Sequence, residues 1–243
     1  MYSQLYTAAS GLIQEQKRLD LISNNLANLS TSGFRSQRLF STIYRRLDPN
    51  VPESIQSGNA SVAVAGAYEV PGRGPVRYTG RDLDVALADG TFLAVQAAGG
   101  RGYTRNGSLQ ITADGALLDG GGRSLLDAQG QSISGLGPLA TIGADGAVRE
   151  AGNELARLML VRDPRNRLEI TGEGLLSAGG RDNEMEAVGE PNLQPGWLEG
   201  SGTEALGELV QLIEAQRAFE AYQKMIFVTM NEVNRRAVND LAG

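Results

Sequence analysis

Residues 5–29, LYTAASGLIQEQKRLDLISNNLANL, carry an apolar repeat that predicts one long amphipathic helix. Apolar residues recur in alternating steps of three and four, and Glu15 is the one polar interruption. The positions that lie seven residues apart are typical of a narrow coiled-coil seam rather than of a helix that covers a globular core. The repeat consists of Leu5, Ala8, Leu12, Leu19, Ile22, Leu26 and Leu29.

A second heptad repeat lies near the other end of the sequence. Thr203 and Glu204 precede it and predict an N-cap and first turn, and the helix is expected to run to about Asn239. Because isolated helices are marginal in water, we expect the two terminal helices to pair as a coiled coil. The second repeat consists of Ala205, Leu212, Phe219, Ile226 and Val233, with Leu209, Ala215, Tyr222 and Met230 between them.

The middle of the chain has the composition of an antiparallel β domain. Glycine makes up 32 of the 243 residues, and short apolar runs alternate with turn dipeptides in this region. Four Asx-Gly pairs predict tight turns because these residues tolerate a positive φ: Asp89-Gly90, Asn106-Gly107, Asp114-Gly115 and Asp145-Gly146.

These patterns together predict an α+β fold in which paired N- and C-terminal helices enclose an antiparallel β-rich middle domain. We expect the N-terminal helix within residues 1–33 and an extended connector or joint with one strand in 34–75. The β domain is expected in 76–196, and the C-terminal helix in 197–243.

The composition excludes several classes of function. The chain has no cysteine and no histidine, which removes disulfides, thiolate or imidazole metal sites and the common catalytic triads. A formal net charge of −6 argues against nucleic-acid binding. The G-x-G-x-x-A match at residues 135–140 precedes strand-like residues rather than a helix, so we expect no nucleotide cofactor. We therefore predict neither an enzyme nor a cofactor or metal site.

The N-terminus does not look like a cleaved signal peptide, because its apolar stretch has no basic residue before it and is interrupted by polar side chains. No window is apolar over the roughly 18 to 20 residues that a membrane span requires. We expect no membrane insertion, and any export would have to use a route that reads no cleaved signal.

Both predicted helices have apolar residues off the main seam, such as Ile13 and Val210, so a helix pair would still expose apolar surface to other copies. At the end of the first helix, Asn24, Asn25 and Asn28 are expected to face subunit neighbours and to fix register. Gly33 would then supply the exit from the helix. An exposed polar helix end is the alternative interpretation of these asparagines.

Several stretches resemble the axial proteins of the bacterial flagellum, specifically the rod proteins. SNNLANLSTSGFR, residues 23–35, is similar to their N-terminal signature, and residues 196–226, which begin GWLEGSGTEALGEL, resemble the C-terminal one. Residues 78–118 resemble the β domain of the family. One departure is Gly202-Thr203-Glu204, which stands where the family commonly has an Asn-rich turn.

The resemblance implies a structural subunit that polymerises helically into a drive shaft across the periplasm. Its partners would be copies of itself, other rod and hook proteins and the flagellar type III export apparatus. Residues 83–96 and 102–107 look closest to proximal rod proteins, whereas residues 19–34 and the run EAQRAFEA look equally like distal ones. A β-rich binding module with helical oligomerisation ends and a carboxylate enzyme are the alternatives outside the family.

We expect the following residues to form the assembly interface, some from the heptads and some from the resemblance: Leu5, Leu12, Leu19, Asn24, Asn25, Leu26, Asn28, Gly33, Phe34, Leu198, Glu199, Leu209, Leu212, Gln216, Arg217, Phe219, Ile226 and Val233.

Overall fold

The computed structural model describes residues 2–45, 60–70, 72–165, 167–172, 175–189 and 191–242. The chain forms two compact units. The first unit comprises Met1–Ala27, Gln37–Val70 and Glu204–Gly243, and the second comprises Asn28–Ser36 and Pro71–Thr203. Terminal helices and a middle of antiparallel sheets confirm the predicted α+β class.

The first unit contains both long helices, α1 (Tyr2–Ala27) and α2 (Ala205–Ala242). α2 begins at Ala205, whereas the predicted C-terminal region began at residue 197. The buried hydroxyl of Thr203 forms no hydrogen bond, so Thr203 does not cap the helix as expected. Instead, the carbonyl of Glu204 accepts the first helical hydrogen bond, from the amide of Glu208. Within the described residues, neither helix has an apolar stretch long enough to cross a membrane.

Two long strands, β1 (Gln37–Arg45) and β2 (Ala60–Glu69), complete the first unit as an antiparallel ribbon. Gln37 lies opposite Glu69, Arg45 lies opposite Ala60, and the register shifts once between Phe40 and Ser41. The prediction of an extended connector with a single strand is therefore wrong for these residues. The pairing was missed because it joins segments separated by a stretch without strand signals; residues 46–59 of that stretch lie outside the described part of the chain.

The second unit contains fifteen short strands in its described part, and every described pair is antiparallel. They are β3 (Val76–Tyr78), β4 (Val85–Ala86), β5 (Thr91–Ala97), β6 (Gly100–Thr104), β7 (Gln110–Ile111), β8 (Leu117–Leu118), β9 (Thr141–Ile142), β10 (Ala147–Glu150), β11 (Asn153–Arg157), β12 (Leu160–Arg162), β13 (Glu169–Gly172), β14 (Leu175–Ser177), β15 (Glu186–Ala187), β16 (Gln194–Pro195) and β17 (Trp197–Glu199).

The largest sheet has six strands in the order β13-β14-β6-β5-β12-β15. Its central strand β5 is buried on both faces, which explains the nearly continuous apolar run Phe92–Val95. Leu93 and Val95 pack into one hydrophobic cluster together with Leu109 and Leu117. Phe92 and Ala94 point into a second cluster that contains Tyr103. The core of this unit therefore lies on both sides of β5.

Three of the four predicted Asx-Gly turns have glycine in the left-handed region, with φ of 69° at Gly90, 78° at Gly115 and 76° at Gly146. The turn at Gly115 joins the paired strands β7 and β8, and the turn at Gly146 joins β9 and β10. Gly107 lies outside the left-handed region. It is glycine for a steric reason, because a Cβ there would collide with the carbonyl oxygen of Val85.

Candidate assembly surface

The two helices of the first unit pack side by side in opposite directions. A Cβ on Gly11 would lie 2.6 Å from ring carbons of Tyr222, so the ring rests directly on the α1 backbone. Two turns further along α1, Arg18 lies 3.7 Å from Glu214, and beyond it Asn25 contacts Glu208. Partner numbers fall along α2 as they rise along α1, which defines an antiparallel pair.

The buried side of α1 is narrower and more polar than its heptad leucines suggest. Ala8 and Ile22 are 2% exposed, and Gly11, Glu15 and Asn25 are also buried. The four heptad leucines are only half-buried: Leu5, Leu12, Leu19 and Leu26. They keep accessible surface within this chain, so their predicted part in assembly stays a prediction.

Asn25 lies at the centre of a buried polar cluster that joins α1, β1 and α2. Its side-chain amide donates to the Gln37 carbonyl at 3.0 Å and accepts from the Gln37 amide at 2.8 Å. The same amide nitrogen donates to a carboxylate oxygen of Glu208 at 3.3 Å. Arg38 donates to both carboxylate oxygens of Glu208, at 3.0 and 2.6 Å. We call Asn25, Gln37, Arg38 and Glu208 the Asn25 cluster.

Asn25 and Glu208 are 0% and 1% exposed, so these two side chains are shielded from water, whereas the Arg38 side chain is 30% exposed. The amide of Asn25 is used entirely within the chain, and we do not propose it as a group that faces a neighbouring copy. Asn24 is exposed, whereas Asn28 is half-buried and accepts a hydrogen bond from the hydroxyl of Thr31 at 3.0 Å. The three asparagines thus have three different environments.

Glu208 and Arg38 were missed by sequence reasoning, although the sequence contained a signal for Glu208. The positions 205, 208, 212, 215 and 219 follow the heptad steps of three and four, and Glu208 is the charged residue in that series. A charge at a seam position predicts a buried partner. No local feature of the sequence indicates that the partner is Arg38.

The side of α2 that faces away from α1 exposes large apolar residues. Leu206 is 71% exposed, Phe227 is 67% exposed, and Val228 is 55% exposed. With 3.6 residues per turn, these residues share one side of the helix, opposite Glu208 and Ala215. We call this set the open face of α2: Leu206, Leu209, Val210, Ile213, Phe227 and Val228.

α1 also exposes apolar side chains one heptad apart, because Tyr6 is 73% and Ile13 57% exposed. The other residues predicted on α2 divide into two groups. Leu209, Gln216 and Arg217 are exposed, whereas the heptad residues are half-buried: Leu212, Phe219, Ile226 and Val233. Exposed apolar rows on two helices of one unit are typical of surfaces that bind other proteins.

The remaining predicted residues lie in the second unit, where the two signature segments cross. Gly33 has a φ of 68° and donates its amide hydrogen to the Glu199 carbonyl at 3.0 Å. The buried Phe34 accepts a hydrogen bond through its carbonyl from the amide of Gly202, at 2.8 Å. Gly202 belongs to the segment that departs from the family pattern. Residues 33–34 and 199–202 therefore hold each other by backbone hydrogen bonds.

A buried ion pair supports this crossing. Arg105 donates to a carboxylate oxygen of Glu199 at 2.5 Å, and both side chains are 2% exposed. The other carboxylate oxygen accepts from the amide of Gly74 at 3.2 Å, while Arg73 lies 3.8 Å from the oxygen that Arg105 binds. Leu198 is buried beside them. Leu198, Glu199, Gly33 and Phe34 are thus part of the interior packing of this unit.

Two acidic side chains of the second unit, Asp84 and Glu184, are paired with arginines. Asp84 is buried and lies 3.3 Å from Arg81, whereas Glu184 accepts hydrogen bonds from Arg165 and Arg167. Among the residues that the structure describes, no three acidic side chains converge so that they could hold a metal ion.

Two family models match the chain at its ends. Residues 5–35 match the model described as flagella basal body rod protein. Residues 194–239 match the model described as flagellar basal body rod FlgEFG protein C-terminal. These segments contain most of α1 with the Gly33 turn and most of α2, together with all the residues of the open face.

The chain is also similar to curated proteins over almost its entire length. It is 32% identical to the flagellar basal-body rod protein FlgF of Caulobacter vibrioides, with 99% of this chain and 98% of that protein covered. It is 32% identical to FlgF of Escherichia coli, with coverage of 91% and 92%. Identity to the flagellar basal-body rod protein FlgG of Bacillus subtilis is 26%, with 98% of this chain and 99% of that protein covered.

Proposed function

This chain belongs to the flagellar basal-body rod protein family, and from that premise we propose that it polymerises helically with the other axial proteins into the drive shaft of the flagellum. The observation that carries this proposal is the open face of α2. It leaves Leu206, Val210 and Ile213 about half or more exposed to solvent. Exposed apolar side chains are stabilised when another subunit covers them.

Within the family, we propose a role like that of FlgF, in the proximal rod. Two FlgF proteins are 32% identical to the chain, whereas the FlgG proteins of Bacillus subtilis and Caulobacter vibrioides are 26% and 31% identical. A role like that of FlgG, in the distal rod, is the alternative. A structural role is in keeping with the family, and no enzymatic step is proposed.

We further propose that α1 and α2 pair as a coiled coil in the assembled rod, and that the predicted interface residues on the two helices, other than Asn25, contact neighbouring copies. The half-buried heptad leucines support this, because partial exposure within one chain leaves area for contacts with others. Leu198, Glu199, Gly33 and Phe34 would act indirectly, by fixing the crossing of the two signature segments.

We propose a location in the periplasm-spanning part of the basal body, reached through the flagellar type III apparatus without removal of a signal peptide. Mass spectrometry of the protein from purified basal bodies would test this, and a peptide that still contains Tyr2 is the expected result. A mature N-terminus beyond α1 would contradict the proposed route.

Electron cryo-tomography of cells that lack the gene tests the role in the rod. A rod that ends near the inner membrane would support the proximal role, whereas a rod of greater length without a hook would favour the distal role. Complete rods in swimming cells would contradict both assignments.

Substitution of the open face tests which surface assembles. We expect Val210→Asp to abolish swimming while the purified monomer keeps its native circular dichroism spectrum, because Val210 is 50% exposed and a charge there remains accessible to water. Leu139→Asp is the matched control, since Leu139 is 79% exposed but lies in the second unit. Normal motility of the Val210→Asp strain would exclude the open face as an assembly surface.

A further inference from the structure

In the first turns of α2, the more apolar side of the helix faces outward and the more polar side faces inward, which is the reverse of what hydrophobicity alone favours. The outward side carries four large aliphatic residues that are between 47% and 71% exposed: Leu206, Leu209, Val210 and Ile213. The inward side carries Glu208, Gln211, Leu212 and Ala215, and two of these are polar. Complete burial of one large aliphatic side chain stabilises a protein by about 1.5–3 kcal/mol. Apolar burial alone would therefore favour a helix rotated by about half a turn.

The Asn25 cluster opposes such a rotation. Gln37 holds the amide of Asn25 through two backbone hydrogen bonds, so Asn25 has a fixed orientation. Asn25 and the bidentate guanidinium of Arg38 together hold both carboxylate oxygens of Glu208. These bonds are directional, and the guanidinium fork fits the carboxylate in one plane.

Rotation of α2 would separate Glu208 from both partners. Each buried polar group left without a partner destabilises the fold by about 1–3 kcal/mol, and a charged one by more. The loss would involve a carboxylate, a guanidinium and an amide, of which the carboxylate and the amide are at most 1% exposed. The polar contacts are therefore sufficient to oppose the gain from burying the aliphatic side.

We propose that the Asn25 cluster is a rotational lock, which keeps the open face of α2 directed outward on the unassembled subunit. This inference rests on the proposed assembly function, because it assigns the cluster the task of presenting the surface that assembles. Glu208 is accordingly a positioning residue and does not contact a neighbouring subunit. A buried asparagine fixes the register of a coiled coil for the same physical reason. Several apolar packing arrangements are similar in energy, and only one of them gives the buried polar group its hydrogen bonds.

The cysteine-free sequence permits a direct test with single thiol probes. Val210→Cys places a thiol on the open face, where the native side chain is 50% exposed, and Ala215→Cys places one on the packed face, where it is 0% exposed. The rate of maleimide labelling is measured for each variant in dilute full-length monomer. In the otherwise native chain we expect the thiol at position 210 to react much faster than the thiol at position 215.

The lock is then removed by the apolar replacement Asn25→Leu/Arg38→Met/Glu208→Leu, which preserves volume without leaving unpaired buried charge. We expect the ratio of the two labelling rates to fall by about tenfold or more, which corresponds to at least about 1.4 kcal/mol. A general loss of packing would speed up the thiol at position 215 without slowing the thiol at position 210. Slower labelling at position 210 is therefore specific to rotation.

Glu220→Leu/Lys224→Met is the matched control, because it removes two exposed charges from the same helix. It should leave the labelling ratio unchanged. If the triple variant fails to fold, Glu208→Gln decides the question, and we expect it to lower the ratio by about threefold through weaker pairing with Arg38. An unchanged ratio in a folded lock variant would overturn the proposal.

Labelling in the monomer is independent of assembly, so a failure of the lock is distinguishable from a failure of the proposed function. If Val210→Asp abolishes motility and the labelling ratio does not change in the lock variant, the open face assembles without a lock. If the ratio changes but Val210→Asp cells swim normally, the cluster orients a helix face that is not used in the rod.

Discussion

Gly33 lies against the backbone of Arg105 so closely that any side chain would collide with it. A Cβ on Gly33 would stand 2.3 Å from the Arg105 carbonyl oxygen, and the φ of Gly33 is 68°. Both features require glycine, for separate reasons. The contact joins the end of the N-terminal signature to Arg105, which follows β6 and also neutralises Glu199, so one small residue allows the two signature segments to cross.

We expect Gly33→Ala to destabilise the second unit by more than about 2 kcal/mol, because a left-handed φ and a backbone clash add together. Gly90→Ala is the matched control, since Gly90 has nearly the same φ of 69° but no atom within 4 Å of an added Cβ. The Gly90→Ala substitution should lower the free energy of unfolding by only about 1–2 kcal/mol. Urea unfolding, monitored through the fluorescence of Trp197, measures the free energy of unfolding of both variants. Equal losses would mean that the Arg105 contact relaxes without penalty.

Gly11→Ala is expected to weaken the pairing of α1 with α2. Alanine favours a helix over glycine by about 0.8–1 kcal/mol, but the added Cβ would stand 2.6 Å from the ring of Tyr222. We expect the clash to dominate, so that the helical part unfolds at a lower temperature. Gly207→Ala has its nearest neighbour at 3.9 Å and should raise that temperature.

Thermal unfolding recorded by circular dichroism in the helical band distinguishes these cases. A stabilised Gly11→Ala variant would show that Tyr222 moves aside freely and does not fix the pairing of the helices.

Ala151 is the described non-glycine residue with a positive φ, at 49°, in the turn between β10 and β11. Gly152 follows with a φ of 84°, and two consecutive positive values are typical of a type I′ turn, which favours Asn-Gly. Ala151→Asn should therefore stabilise the second unit by about 0.5–1 kcal/mol. Ala113→Asn, at an exposed alanine outside that region, should change stability by less than about 0.5 kcal/mol. Chemical denaturation compares the two, and a destabilised Ala151→Asn variant would contradict the assignment.

Asp145 makes stability depend on pH in the acid range. A hydrogen bond from Arg149 lowers the pKa of Asp145 from 3.8 to about 2. Because folding lowers this pKa, the ionised carboxylate stabilises the folded state above pH 3.8. That contribution is lost as the pH falls from 3.8 towards 2. The ion pair is nearly half exposed, so we expect less than about 1 kcal/mol.

The stability difference between the native chain and Asp145→Asn should therefore shrink across this pH window in urea titrations. Asp114→Asn serves as the control, because Asp114 is exposed and forms no ion pair with the residues that the structure describes. A difference that stays constant with pH would show that the carboxylate is not stabilised by Arg149.

Local signals were sufficient for much of the fold. The heptad repeats predicted both helices, because a period near 3.5 residues is a property of neighbouring positions along the chain. The Asp-Gly pairs at 89–90, 114–115 and 145–146 predicted turns whose glycines have a positive φ, since the requirement for φ belongs to the residue itself. The family resemblance followed from the same terminal segments.

Other features depended on contacts between distant segments. β1 and β2 pair across residues 46–59, and no local pattern predicts which strand finds which partner. The predicted N-cap also failed as a local rule, because the hydroxyl of Thr203 makes no hydrogen bond and the residue that directly precedes α2 is Glu204. The environment of Asn25 was decided in the same way, since its partners are a strand and a second helix.

The sequence by itself determined the two helices, the glycine turns and the presence of more apolar surface than one chain can bury. Only the tertiary structure decided which face of α2 stays open, because the contact of Asn25 with Glu208 joins residues 183 positions apart. An apolar pattern on a helix is compatible with several rotations of that helix about its axis. A buried carboxylate, in contrast, is stable only where its hydrogen-bond donors converge. The position of those donors is a property of the folded chain alone.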